Sequence, residues 1–307
     1  MRSLMTELIW DNHVCLPLDS EQVDACRDLE RWRKAGVDVV TVNVGYGTQR
    51  ADDHIKMLAR IRSQVRSDPQ RYLLVETCQD AVSASTSGKL GVCFNLEGWQ
   101  AFEERLEFIE LFYDLGVRWM AAVYNHRNSA GSGCMDEEDL GLTALGQEIV
   151  QEINRVGALV CCSHTGWRTA ADILVCSSSP VIFSHSNAYA LHPHMRNIPD
   201  ELAMECARTG GVVGVNGFGP FLDGAEGGTS SLVNHIEHFV RLIGEDHVAP
   251  ALDYMIDGEN KGLAMVPPEI FGSVAKLLLD RGWSETSVSK LLGGNHLRVA
   301  AQVWRSS

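Results

Sequence analysis

The fold is decided by the stretch from Gly141 to Glu201, which reads GLTALGQEIVQEINRVGALVCCSHTGWRTAADILVCSSSPVIFSHSNAYALHPHMRNIPDE. Amphipathic segments at 143–156 and 167–177 have the periodicity of helices. Each is followed by a short apolar run, at 158–163 and 180–184, with the length and composition of a buried strand. This regular alternation of helix and strand predicts repeated βα units and a parallel sheet.

The same alternation runs along the whole chain. Apolar runs predict eight strands, at 7–12, 37–44, 90–96, 117–123, 158–163, 180–184, 211–216 and 247–252. Amphipathic segments predict eight helices, at 21–35, 51–67, 101–115, 143–156, 167–177, 199–209, 229–243 and 267–281. A short run from Tyr72 to Val75 is expected outside the barrel, and two helical segments after Asp280 are expected to close it. No Pro/Ser-rich linker divides the chain, so we predict one (β/α)8 TIM barrel domain over residues 1–307.

The composition limits the classes of function. Of the 307 residues 45% are hydrophobic, and the formal net charge is -14. Such an acidic chain lacks the concentrated Lys and Arg that bind a nucleic-acid backbone. The expected partner is therefore a small-molecule substrate, and a homodimer stays open.

The sequence predicts a soluble, cytoplasmic protein. Glu7 and Asp11 interrupt the apolar core that a signal peptide would need in MRSLMTELIWDNH. No stretch approaches the roughly 20 apolar residues of a membrane helix, and the tail AAQVWRSS lacks a lipid-anchor signal. The nine cysteines are odd in number and form no C-x-x-C pair, which favours reduced thiols.

Polar residues end nearly every predicted strand. The strand ends read LIWDNH, VTVNV, VCFNLE, AAVYN, VCCSH, VIFSH, VVGVN and PALD, and they supply His13, Asn43, Glu97, Tyr124 with Asn125, His164, His185, Asn216 and Asp253. In a closed barrel all of these ends converge on one face, where such folds build their active sites.

Three histidines, one Glu and one Asp on one face suit a divalent metal such as zinc. A single histidine at a strand end is more often an ordinary polar residue than a ligand, but five donors in register favour a metal site. Seven further histidines are expected at the surface without a role: His126, His192, His194, His235, His238, His247 and His296.

Several motifs resemble the membrane (renal) dipeptidase family of zinc metallopeptidases. They are SHT, FSHSNA and RNIPD within the stretch quoted above, GGVVGVN, and LLGGNHLRV near the end of the chain. The resemblance implies an amidohydrolase-like barrel with a two-metal zinc site, and this chain is expected to bind one or two zinc ions. By position it implies metal ligands at His13, Glu97, His164 and His185, with Glu97 bridging, an acid/base at Asp253, and Arg196 binding the substrate carboxylate.

This chain departs from the family pattern at two positions. The aspartate ligand of the first strand falls on Cys15, and the histidine of the fourth strand is replaced by Tyr124. Cys15 is then either a thiolate ligand of a second zinc ion or a small apolar filler beside a one-metal site, and the sequence slightly favours the filler. Tyr124 either donates a hydrogen bond to the reacting carbonyl or fills the barrel mouth.

The sequence as a whole predicts a metallohydrolase that cleaves an amide bond in a dipeptide or a related carboxylate-bearing substrate. Tyr124 and Asp253 are expected to be catalytic, and Arg196 and Asn125 to bind the substrate. A salt bridge within its loop is the ordinary alternative for Arg196. The rival hypothesis is a barrel that has lost peptidase activity and either acts on a different small amide or serves as a binding protein, motivated by the changes at Cys15 and Tyr124.

Overall fold

The computed structural model describes residues 8–224, 228–256 and 264–305. Residues 1–7 lie outside the described ranges. They include Glu7 of the first predicted strand. They also include most of the segment on which the prediction about a signal peptide depends. The last two residues of the predicted domain, Ser306 and Ser307, lie outside them as well.

The described strands form one parallel sheet. They are β1 (Trp10–Cys15), β2 (Val39–Tyr46), β3 (Tyr72–Leu74), β4 (Leu90–Glu97), β5 (Val117–Ala121), β6 (Leu159–Cys161), β7 (Val181–Phe183), β8 (Val212–Asn216), β9 (Val248–Ala251) and β10 (Tyr254–Met255). Their order around the sheet is β10-β1-β2-β4-β5-β6-β7-β8-β9, while β3 pairs with β4 beside this path. The eight predicted strands are confirmed, with ends that move by up to three residues.

The sheet closes because β9 and β10 are two halves of one interrupted strand. β9 pairs with β8, whereas β10 pairs with β1 through Val14 opposite Tyr254 and Cys15 opposite Met255. Between the halves, the Asp253 amide donates to the His13 carbonyl at 3.1 Å. The predicted TIM barrel is therefore confirmed, with a break in its last strand at the position of a candidate catalytic residue.

Helices surround the barrel. They are α1 (Ala25–Ala35), α2 (Ala51–Ser67), α3 (Cys78–Ser87), α4 (Glu107–Asp114), α5 (Ala144–Val156), α6 (Trp167–Cys176), α7 (Asp200–Arg208), α8 (Gly219–Leu222), α9 (Thr229–Ile243), α10 (Ile270–Asp280), α11 (Glu285–Ser289) and α12 (Asn295–Val303). A 3-10 turn spans Trp99–Phe102 and another spans Glu245–His247, while a π-helical turn at Lys290–Gly294 joins α11 to α12. None of the helices in the described ranges combines the length and the apolar character needed to cross a bilayer.

Two sequence predictions about helices were incomplete. The helix predicted at 101–115 begins only at Glu107, because Glu103 and Glu104 adopt left-handed backbone conformations, with φ of 48° and 58°. α3 was missed, although its start carries a capping box in which Thr77 accepts from the Asp80 amide and Asp80 accepts from the Thr77 amide.

The end of the barrel opposite the site is closed by α12. Val299 and Ala300 belong to buried clusters with residues that begin strands, namely Trp10, Val39, Leu159 and Val212. α11 and α12 are the helical segments after Asp280, and α12 packs against this end of the barrel. With its amino-terminal end filled by side chains, the barrel presents only its carboxyl-terminal end to a substrate.

Two histidines predicted at the surface are buried instead. His235 on α9 joins two loops, since its Nδ1 accepts from the Ala188 amide at 3.0 Å and its Nε2 lies 2.9 Å from the Leu222 carbonyl oxygen. His296 on α12 packs against Trp10, and burial lowers its pKa to about 4. The surface prediction is wrong for these two because it ignored which helix face meets the barrel.

Candidate metal centre

The candidate ligands come from five of the barrel strands. His13 and Cys15 lie on β1 and Glu97 is the last residue of β4. His164 and His185 lie shortly after the ends of β6 and β7, and Asp253 lies in the break between β9 and β10. Because parallel strands present their carboxyl ends on one face, residues far apart in sequence meet there.

Left-handed backbone conformations occur at three residues of this face. Asn125, His164 and Asp253 have φ angles of 57°, 70° and 54°, and none of them is glycine. Such conformations cost of order 1 kcal/mol or more and are retained where surrounding structure enforces them. Their concentration at one end of the barrel agrees with a functional site there.

Glu97, His164 and His185 form the first donor set. Oε1 of Glu97 lies 3.4 Å from Nε2 of His164 and 3.6 Å from Nε2 of His185, and the two Nε2 atoms are 2.9 Å apart. Ligands of a tetrahedral zinc ion at about 2.0–2.1 Å lie about 3.3 Å from one another. The buried Oε1 of Glu97 has no hydrogen-bond partner, so three lone pairs converge on one point, as a cation requires.

The neighbours of the two histidines favour the tautomer that binds metal through Nε2. Nδ1 of His164 lies 2.7 Å from Oδ1 of Asn125, and Nδ1 of His185 lies 2.7 Å from Oγ of Ser184. With the proton on Nδ1 donated to these oxygens, Nε2 is free to coordinate. Burial, reinforced for His164 by Arg196, lowers the pKa of both rings well below the ordinary value, which keeps them neutral.

His13, Cys15 and Asp253 form a second donor set beside the first. Nε2 of His13 lies 3.3 Å from Oδ1 of Asp253 and 3.9 Å from Oε2 of Glu97. Sγ of Cys15 lies 3.6 Å from Nε2 of His13 and 3.5 Å from Oδ1 of Asp253. Glu97 therefore directs one carboxylate oxygen toward each set, which is the arrangement of a bridging ligand.

Two asparagines hold the carboxylates of the centre. Nδ2 of Asn43 donates to Oε2 of Glu97 at 3.0 Å, and Nδ2 of Asn216 donates to Oδ2 of Asp253 at 3.0 Å. Burial raises the pKa of Glu97 to about 7. Burial acts in the same direction on Asp253, but the charge and hydrogen bond of His13 and the hydrogen bond from Asn216 outweigh it and hold its pKa well below the ordinary value.

Asp11 is a further residue of the centre that sequence reasoning did not single out. Its fully buried carboxylate accepts from the Leu252 amide at 2.9 Å and from Nε1 of Trp32 at 2.8 Å. It thereby holds the chain next to Asp253. The available signal was a charged residue inside the apolar run LIWDNH, because a buried carboxylate needs hydrogen-bond donors.

Eight of the nine candidate residues line one cavity of about 460 Å³; His185 lies buried behind it. Arg196 is also buried, its guanidinium lies over the ring of Phe221, and its Nη2 is 3.1 Å from Nε2 of His164. It forms no salt bridge with a carboxylate of the described residues, so the ordinary alternative for Arg196 finds no support there.

Aromatic and sulfur-containing side chains make up much of the remaining wall. Tyr124 is stacked between Tyr46 and His164, with ring centroids 4.8 Å and 4.3 Å away. Burial raises the pKa of its phenol, which therefore stays protonated and can donate. His194, predicted to have no role, lies in the cavity wall, where its Nδ1 accepts from the Arg196 amide at 3.1 Å.

A second cavity, of about 390 Å³, adjoins the first and shares His194 with it. Trp167, Tyr189 and Met195 line this second cavity, and each is more than a third exposed. Large exposed apolar groups around a cavity mouth are typical of ligand-binding grooves. The two adjoining cavities together therefore provide more space than the metal ligands themselves require.

Comparisons with known proteins show the family of the chain. The sequence profile described as Membrane dipeptidase (Peptidase family M19) matches residues 4–307. The chain is 32% identical over 257 residues to the dipeptidase tcpJ of Claviceps purpurea (strain 20.1), covering 81% of this chain but only 59% of the length of that relative.

Solved structures show the same fold. An amidohydrolase from Pseudomonas aeruginosa superimposes with a TM-score of 0.90 at 27% identity, covering 97% of both chains. A metallopeptidase from Rhodobacter sphaeroides, solved with a phosphinate mimic of the dipeptide L-Ala-D-Ala, superimposes with a TM-score of 0.86 at 21% identity, covering 97% of this chain and 99% of its own. With the profile match over nearly its whole length, the chain belongs to the membrane dipeptidase family.

Proposed function

We propose that this protein is a metal-dependent hydrolase that cleaves the amide bond of a dipeptide, or of a related small substrate with a free carboxylate. The observation that carries the proposal is the pair of donor sets joined by Glu97 in one cavity with the buried Arg196. The cavity thus combines groups that suit a cation with a guanidinium that suits a carboxylate.

The donor types suit zinc, which when bound would polarise the scissile carbonyl and lower the pKa of a nearby water toward neutrality. His164, His185 and Glu97 would hold one ion. His13 and one oxygen of Glu97 would hold the other, if two are bound.

Asp253 is the proposed acid/base. Its carboxylate is ionised at neutral pH, because its pKa lies well below the ordinary value, and its Oδ1 faces the donor cluster. It can accept a proton from the attacking water and return it to the departing nitrogen, which must leave as an amine. Asn216 fixes the other oxygen, Oδ2, and so orients the carboxylate for this transfer.

Tyr124 is the proposed donor to the oxygen of the scissile carbonyl. Its ring is held between two other rings, so the phenol has a fixed direction, and it remains protonated. A neutral phenol can stabilise the negative charge that develops on this oxygen. Asn125, predicted to contact substrate, lines the same cavity while its Oδ1 accepts from His164.

The substrate side chains would meet mostly apolar walls. The cavity is lined by Tyr46, Met135, Phe218, Phe221 and Met255 in addition to its polar groups. Burying apolar substrate surface contributes roughly 25 cal/mol for each Å² removed from water. We therefore expect a preference for substrates with apolar side chains over those with charged ones.

Arg196→Lys tests the carboxylate assignment. A bidentate guanidinium contact is replaced by a point charge, and hydrogen bonds to charged groups are worth roughly 1.5–3 kcal/mol, so KM for carboxylate substrates should rise roughly ten- to hundredfold. KM for the C-terminally amidated analogues should change far less. Arg127→Lys, an exposed arginine after β5, is the matched control. Equal effects on both substrate types would show that Arg196 contacts something else.

A substrate screen separates the proposed hydrolase from a binding protein. The zinc-loaded protein is incubated with dipeptides, N-acyl amino acids and lactams, and release of free amine is measured. Hydrolysis of carboxylate-bearing amides, lost on chelation, is the expected result. Saturable binding of the same compounds without any amine release would instead favour the non-enzymatic hypothesis that the changes at Cys15 and Tyr124 motivate.

A further inference from the structure

We propose that Cys15 is a zinc ligand that completes, with His13, Asp253 and one oxygen of Glu97, a four-donor site beside the one formed by Glu97, His164 and His185. The proposal rests on the metal centre of the proposed function, but not on the hydrolytic reaction. The sequence slightly favoured a one-metal site with Cys15 as a small apolar filler, and this proposal reverses that preference.

The distances among the four donor atoms carry the proposal. Zinc binds sulfur at about 2.3 Å and nitrogen or oxygen at about 2.0–2.1 Å. In a tetrahedral site the sulfur atom then lies about 3.5 Å from each of the other ligand atoms, and the nitrogen and oxygen ligand atoms lie about 3.3 Å from one another. Sγ of Cys15 lies 3.6 Å from Nε2 of His13 and 3.5 Å from Oδ1 of Asp253. The nitrogen and the oxygen are 3.3 Å apart, and the fourth donor, Oε2 of Glu97, is 3.9 Å from Nε2 of His13.

The backbone explains why these side chains face one point. His13 and Cys15 are two residues apart on β1, so they project to the same side of the strand. β10 pairs with β1 at Cys15, and the Asp253 amide donates to the His13 carbonyl. Asp253 is therefore anchored to the strand that carries the other two donors.

The thiolate of Cys15 replaces the negative charge that the family's first-strand aspartate would supply. Cys15 loses its thiol proton to solvent when it binds zinc, and the thiolate and the carboxylate then both offset the charge of the ion. Oδ1 of Asp253 keeps a second lone pair after coordination, since each carboxylate oxygen has two. Ligation by Asp253 and its proposed proton transfer are thus compatible.

A thiolate makes the site selective for zinc. Sulfur ligands favour zinc over magnesium and manganese, which prefer oxygen donors. The site of Glu97, His164 and His185, formed by imidazole and carboxylate alone, lacks this preference. The two positions should therefore differ in selectivity, with the Cys15 site retaining zinc in the presence of excess manganese.

Metal content and the absorption of the cobalt(II)-substituted protein test the proposal without an activity assay. The wild type should bind two zinc ions per chain and, with cobalt, show a thiolate-to-cobalt charge-transfer band in the near ultraviolet. Cys15→Ser should bind one zinc ion and lose the band. Cys15→Asp should bind two ions without the band, because a carboxylate replaces the sulfur. Cys26→Ser, a half-buried cysteine on α1 whose thiol donates to the Gln64 carbonyl, is the matched control and should behave as wild type.

The possible results distinguish a failure of this inference from a failure of the proposed function. A wild-type protein with one zinc ion and no charge-transfer band overturns this inference and leaves the Glu97, His164 and His185 site standing. An unchanged zinc content and band in Cys15→Ser also overturns it. A wild type that binds no divalent metal overturns the proposed function as well. If Cys15→Ser does not fold, the wild type and Cys15→Asp decide the question through the presence and absence of the band.

Discussion

His185→Ala is expected to abolish turnover and to remove the zinc ion of the Glu97, His164 and His185 site. Its Nε2 is one of the three donor atoms of the first set, 3.6 Å from Oε1 of Glu97 and 2.9 Å from Nε2 of His164. Alanine offers no ligand, and the set of Glu97 with His164 then has too few protein donors for a stable zinc site. Zinc content, measured by mass spectrometry, and amine release should fall together, with activity at background.

The control for this change is His247→Ala. His247 precedes β9 at the amino-terminal end of the barrel, where its Nδ1 lies 2.8 Å from the Gly211 carbonyl oxygen. Removal of a histidine there should leave metal content and turnover close to wild type. Circular dichroism shows whether each variant is folded. A folded His185→Ala protein that keeps both zinc and activity would show that the donor sets are wrongly assigned.

Asp253→Asn is expected to lower kcat by roughly 10²–10⁴-fold, the range for loss of general acid/base assistance. The amide cannot take the proton from water at neutral pH, although it keeps the size of the carboxylate. Assays at saturating zinc remove any contribution from weaker metal binding. The contact with Asn216 can be retained by the amide oxygen, so the fold should hold.

Asp246→Asn provides the comparison for Asp253→Asn. Asp246 is an exposed carboxylate paired with Lys290 at the opposite end of the barrel. Its loss should leave kcat unchanged. If the zinc-saturated Asp253→Asn protein also turned over at nearly the wild-type rate, Asp253 would have no part in proton transfer, and another base would have to be found.

The sequence was informative where one local pattern repeats. Each strand of the barrel is buried and short, and each helix has one apolar face. Continuous apolar runs for the strands and helical periodicity for the helices therefore alternate along the chain. The helices at 51–67 and 229–243 were placed with the bounds that the structure shows. The convergence of His13, Glu97, His164 and His185 followed from the closure of the barrel alone.

Features set by contacts between distant residues were not predictable from local pattern. The left-handed conformation of Asp253 depends on pairing of the last strand with β8 on one side and β1 on the other. The burial of His235 and His296 depends on which helix face meets the barrel. The role of Asp11 depends on the Leu252 amide, 241 residues away in sequence.

The distances between side chains in the candidate metal centre could be seen only in the folded structure. The sequence placed Cys15 near His13 but could not give the 3.5 Å separation between its sulfur and Asp253, on which the proposal that Cys15 is a ligand rests. It named Asn125 as a contact to substrate but could not place its carbonyl oxygen 2.7 Å from Nδ1 of His164. Both relations join residues on different strands or loops.

Metal-dependent amide hydrolysis is the central claim, and reconstitution of the apoprotein tests it most directly. The protein is stripped with a chelator, zinc is added back in measured equivalents, and amine release from a dipeptide with an apolar side chain is followed at each step. The account predicts no release from the apoprotein, a rise that saturates as the sites fill, and no rise in His185→Ala. Equal release with and without zinc, or none from a fully loaded protein across the substrate panel, would contradict it.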